Sequence, residues 1–108
     1  MPTNRFANQS IDSLLWLQQW FASHCNGEWE HEAGISLNTL DNPLWSLKIE
    51  VTGTYLENYP SFHHEEGEWG NDNWLECHLE NGLFQASCGT SRLTDMIAFF
   101  RKCATEKP

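Results

Sequence analysis

The densest group of reactive side chains in this 108-residue chain is Cys25-Asn26-Gly27-Glu28-Trp29-Glu30-His31. It holds a thiol, two carboxylates, an imidazole and an indole. Glu30 and His31 would be the base and its orienting partner of an acid–base site. Adjacent residues of an extended segment point to opposite faces, so spacing alone does not pair them. The reading favoured for this run has Trp29 packing inward while Glu28 and Glu30 stay in water. A second group is Cys88-Gly89-Thr90-Ser91-Arg92. A thiol ahead of a helix N-terminus, beside an Arg, would suit a thiol-dependent, sulfurtransferase-like enzyme. Here Thr90 and Ser91 are accounted for as helix caps.

Zinc ligands are available in His24, Cys25, His31, His63, His64, Cys77 and His78. None shows a ligand spacing typical of structural zinc. His63-His64-Glu65-Glu66 falls in what reads as a loop and would take up metal adventitiously. A metal- or small-molecule-binding module is thus a rival reading, while the favoured one has no cofactor and no metal. The four cysteines form no Cys-x-x-Cys pair, so free, buried thiols are expected.

Charge is the strongest compositional signal. The chain has 15 acidic and 6 basic residues, a net charge of −9. Between Glu28 and Glu80 stand twelve carboxylates and one base, Lys48, a local charge of −11. Nucleic-acid binding is disfavoured, because phosphates require clustered Lys and Arg. No apolar run reaches the roughly 20 residues of a membrane span, and the N-terminus lacks a secretory core, so no membrane association and a cytoplasmic location are expected. Such a surface either confers solubility or meets a partner with a basic face.

The elements that position these groups follow from periodicity. Residues 1–9 read as a flexible lead-in, 10–104 as one domain and 105–108 as a tail. Ser10 is the expected N-cap of a helix over Ile11–Cys25, with Leu14, Leu17 and Phe21 on its apolar stripe and Asn26-Gly27 at its end. Gly34–Leu40 and Trp45–Val51 alternate as strands around Asp41-Asn42-Pro43, and Thr54–Leu56 is a possible extension of the second. Residues 57–73 read as a long acidic loop. Trp74–Glu80 and Leu83–Cys88 are strands joined by Asn81-Gly82, a strong hairpin signal. Leu93, Met96, Ile97 and Phe100 mark a last helix. The expected fold is α+β: a four-stranded antiparallel meander flanked by N- and C-terminal helices on one face. Trp16, Trp20, Trp45 and Trp74 belong to its core. Trp69, among Glu66, Glu68 and Asp72, has no packing role in this pattern and suits a binding anchor.

Three ordered runs resemble the immunity protein 53 family: Leu15-Trp16-Leu17-Gln18-Gln19-Trp20-Phe21, Cys25 to His31, and Thr39-Leu40-Asp41-Asn42-Pro43-Leu44-Trp45. The resemblance continues through Gly53-Thr54, Trp74, Cys77, Phe84 and the final helix, covering about Leu14 to Phe100. It implies a bacterial, non-enzymatic inhibitor that binds a cognate polymorphic toxin and occludes it. With the charge pattern, the contact candidates are Glu28, Glu30, Asp41, Glu65, Glu66, Glu68 and Asp72, with Trp69 as anchor.

Overall fold

The computed structural model describes residues 5–32, 34–68 and 72–106, residues 5–11 as backbone. Helix α1 spans Arg5–His24 and a single turn, α2, spans Trp29–Glu32. Strands β1 (Ile35–Leu40), β2 (Leu44–Glu50), β3 (Phe62–Gly67), β4 (Trp74–Glu80) and β5 (Leu83–Cys88) follow, and helix α3 (Leu93–Thr105) closes the chain. The strands form one antiparallel sheet in the order β1-β2-β5-β4-β3. The fold is α+β, as the periodicity indicates, but with five strands rather than four.

The fifth strand lies inside the segment read as a loop. Phe62, His64 and Glu66 face one side of β3 and His63 and Glu65 the other, so polar residues occupy both faces. Hydrophobic alternation, the usual signature of a strand, is therefore absent. The order also departs from a simple meander, because β2 pairs with β5 and not with its sequence neighbour β3. Thr54–Leu56 forms turns rather than an extension of β2.

Alternation decides which face is covered. In β2, β5 and β4 the registered rows Leu47–Ala86–Cys77 and Ile49–Phe84–Leu79 are buried. Leu17 and Trp20 of α1 and Met96, Ile97 and Phe100 of α3 belong to the same core. Phe84 meets Phe100 at 5.0 Å between ring centroids, Phe100 meets Trp20 at 5.1 Å, and Trp20 meets Trp29 at 5.8 Å. Sheet, α3, α1 and α2 are thus joined by one line of aromatic contacts, each favourable beyond its buried area. Trp20 and Trp74 are buried, and Trp16 and Trp45 pack half-buried against the core. Tyr59 and Phe62 also pack on it.

Two helix boundaries differ from the capping pattern. Helix α1 begins at Arg5, so Ser10 lies within it. At α3 the N-cap residue is Arg92, with no side-chain cap. Ser91 Oγ instead donates to the carbonyl of Asp72 at 3.1 Å, and the carbonyl of Thr90 accepts from Trp45 Nε1 at 3.1 Å. Ser91 thereby ties the strand-to-helix corner to the β3–β4 connection, and Thr90 ties it to β2. The Asn81-Gly82 turn conforms to expectation: both residues have positive φ, 54° and 80°, as a tight two-residue hairpin requires.

Candidate functional site

Residues 25–32 form an elbow rather than an extended segment. Asn26 Oδ1 accepts the amides of Glu28 and Trp29 at 2.9 and 3.0 Å. The Glu30 carboxylate reaches back to the amides of Asn26 and Gly27 at 2.9 and 2.7 Å. The two side chains cap the turn reciprocally, in the manner of a capping box. Main-chain N–H groups, its own first and then those of Asn26 and Gly27, hold the Glu30 carboxyl below its ordinary value. Trp29 is buried and its Nε1 donates to the carbonyl of Glu50 at 2.9 Å. Glu30 and His31 thus share a helical turn, and the Glu30 carboxylate is engaged in building it. Glu28 lines a groove of about 440 Å³ with Glu32, Glu50 and Trp29.

Four other candidates gather at the β3–β4 hairpin. Glu66 faces the helices and accepts from Arg92 Nη2 at 2.7 Å and from His64 Nε2 at 2.8 Å. The His64 and Arg92 hydrogen bonds, in that order, pull its carboxyl below the ordinary value. Arg92 also donates to Asp95 at 2.8 Å and to Asn73 Oδ1 at 3.3 Å, and His64 stacks on Phe99 with centroids 4.7 Å apart. Glu65 faces the uncovered side of the sheet. Glu68 and Asp72 are exposed. Trp69 lies outside the described residues.

Strand register sorts these candidates into two groups. Trp45, Cys88 and Leu75 share a row, next to the β1–β2 turn and the Gly67–Trp74 pair. Asp41, Glu66, Glu68 and Asp72 therefore lie at one end of the sheet, with Glu65 close by. Glu50 ends β2 at the other end, where α2 brings Glu28 and Glu30. A seven-residue strand separates the groups by about 20 Å. Glu32, Glu50 and Glu76 join this acidic surface without having stood out in the sequence. Their signal was positional, since Glu50 and Glu76 occupy the polar phase of alternating strands.

The thiol groups point away from nucleophilic chemistry. Cys88 is fully buried, and burial pushes its thiol up to about 11, although Arg92 acts in the opposite direction. A reactive thiol needs the reverse shift. The amide of Gly89 donates to the carbonyl of Trp74, that of Arg92 donates to the carbonyl of Gly89, and the Arg92 guanidinium holds carboxylates. Two of the amides and the guanidinium that an anion cradle here would use are thus engaged within the protein. Cys77 is likewise buried and pushed up to about 12 by burial.

On the uncovered side, His63 of β3 lies between two carboxylates. Its Nε2 is 3.0 Å from Glu76 Oε2 and 3.3 Å from Glu65 Oε2. The segment read as a metal-scavenging loop is a strand that sends His63 and His64 to opposite faces.

These features define a class: an acidic α+β domain with helices on one face of a five-stranded sheet, three buried thiols and carboxylates around the sheet rim. The immunity protein 53 family matches residues 14–105, most of the chain, and this protein belongs to that family. Comparison with curated proteins and with solved structures gave no match.

Proposed function

We propose that this protein binds a cognate bacterial toxin in the cytoplasm and neutralises it by covering its active surface, with no bond-making chemistry of its own. The family match over residues 14–105 carries this reading. The charge pattern supports it: a net charge of −9 suits a partner with a basic face and speeds encounter by electrostatic steering. The favoured contact surface is the sheet end carrying Asp41, Glu68 and Asp72, with Glu65 at its margin and Trp69 as anchor. Glu66, held by Arg92 and His64, and Glu30, held by the elbow amides, act mainly by fixing local structure. Glu28 belongs to a second acidic patch at the opposite end.

The test is co-expression with the toxin encoded beside it. Rescue of growth and co-purification of the two proteins are expected. Growth arrest with no complex would overturn the reading. The rival thiol-transferase reading finds no support in a buried Cys88 whose thiol is pushed up to about 11.

A further inference from the structure

The geometry points to a divalent transition-metal site on the uncovered face of the sheet, formed by His63, Glu65 and Glu76. It stands independently of the toxin reading. The three side chains converge because of strand geometry. His63 and Glu65 are two residues apart on edge strand β3 and so share a face. Glu76 lies directly opposite Glu65 on β4. One ligand atom from each of the three falls within 4.8 Å of the others.

Three physical points favour a cation here. First, like charges placed directly opposite across an antiparallel pair are destabilising. Among the described residues no Lys or Arg pairs with Glu65 or Glu76, and the one group between them is an imidazole. A bound cation would relieve this repulsion. Second, His63 Nε2 is hydrogen-bonded to Glu76 Oε2 at 3.0 Å and lies 3.3 Å from Glu65 Oε2. These spacings run from a little inside to just at the edge, roughly 3.3–3.6 Å, of a tetrahedron drawn around an ion with ligands at about 2.0–2.2 Å. Small side-chain rotations would seat the ion. Third, the neighbouring side chains brace the histidine. His78 is paired across from His63, their rings meet edge-to-face at 6.2 Å, and His78 Nε2 is hydrogen-bonded to Gln85 at 3.1 Å. One nitrogen and two carboxylate oxygens, with water completing the shell, suit Zn²⁺ and its neighbours; the imidazole disfavours Mg²⁺ and Ca²⁺.

Calorimetric titration of the full chain with Zn²⁺ tests this, in the Cys25→Ser background so that the exposed thiol takes no part. One ion per chain is expected, with much weaker heats from Mg²⁺ and Ca²⁺. His63→Ala and Glu76→Gln should each weaken binding by about tenfold or more, on the scale of losses seen when a metal site is disturbed. Glu80→Gln, elsewhere on β4, should leave it unchanged. All three substituted side chains are solvent-accessible, and circular dichroism checks that each variant is folded. The ring resonances of His63 should shift on adding Zn²⁺, and those of His31 should not. Absence of Zn²⁺ binding, binding retained in the His63→Ala/Glu76→Gln double variant, or equal binding of Mg²⁺ and Ca²⁺ would each overturn the site. None of these outcomes bears on toxin neutralisation, which the co-expression test decides separately.

Discussion

The indole N–H of Trp29 donates to the main-chain carbonyl of Glu50 at 2.9 Å, joining residues 21 positions apart. Through this bond the single turn of α2 is fixed to the last residue of β2. The Trp29 ring meanwhile packs edge-on against Trp20 of α1. Trp29→Phe keeps most of the packing and loses the bond, so a loss of about 1 kcal/mol is expected. Trp29→Ala removes both, and about 3–5 kcal/mol should be lost. Urea denaturation followed by circular dichroism measures each.

Asn26 and Glu30 cap the same turn from its two ends. Asn26→Ala should cost about 1 kcal/mol, the usual loss for an N-terminal cap. The Glu30 carboxyl is held below its ordinary value of 4.5 in the folded protein. A depressed acid stabilises the fold fully above that value, and the contribution disappears as pH falls through the folded-state value. Stability measured from pH 6 to pH 2 should therefore fall less steeply in Glu30→Gln than in the parent chain.

Burial separates the thiols. Cys77, Cys88 and Cys103 are buried and Cys25 is exposed. Cys25 alone should react with a disulfide reagent in the native protein, more slowly than an unhindered thiol because desolvation and then the Glu30 carboxylate push its thiol up. The other three should react only on unfolding. Cys25→Ser should abolish the fast phase. A fast phase that survives this substitution would show that one of the three buried thiols is reached in the native protein.

Gly82 sits at φ 80° in the β4–β5 turn, and a Cβ there would meet the Thr52 hydroxyl. Gly82→Ala should lose about 1–2 kcal/mol, the cost of a left-handed conformation in a residue with a side chain. Gly27, also at positive φ, has open space around the position of a Cβ, so Gly27→Ala should show the backbone cost without a clash. The difference between the two variants in thermal denaturation measures the clash with Thr52.

Charge reversal tells the two acidic groups apart. Glu68→Lys with Asp72→Lys should slow association with the toxin and flatten its dependence on salt, with a smaller effect on dissociation. Glu28→Lys, about 20 Å away, should change association less if the Asp41–Asp72 end makes the contact. Stopped-flow measurements at two ionic strengths give both rates. Equal effects from both ends would place the toxin across the whole sheet.

Local sequence carried much of this fold. Met96, Ile97 and Phe100 marked the buried stripe of α3, but in α1 periodicity gave the helix and not its buried side. Leu17 is buried as expected, whereas Leu14 and Phe21 of the same stripe are exposed, because the larger indole of Trp20, beside that stripe, takes the core-facing position. The alternation through Leu47 and Ile49 identified β2 and the side it buries. Asn81-Gly82 specified its own turn. Strand β3 was not legible in the same way. Edge strands need less apolar surface and are often charged, which deters pairing with other chains. Phe62-His63-His64-Glu65-Glu66 therefore reads as solvated loop although it pairs fully with β4.

The sequence by itself determined the elements whose burial is periodic, the strong negative charge and the family of this protein. These are properties of composition and of neighbours within a few residues. Only the tertiary structure decided that β2 pairs with β5, that Glu30 caps a turn while Glu28 lines a groove, and that His63 meets Glu76 across thirteen residues of chain. The physical reason is that strand register is set by which apolar faces pack together across the whole sheet, and register in turn determines which polar side chains meet on the opposite face.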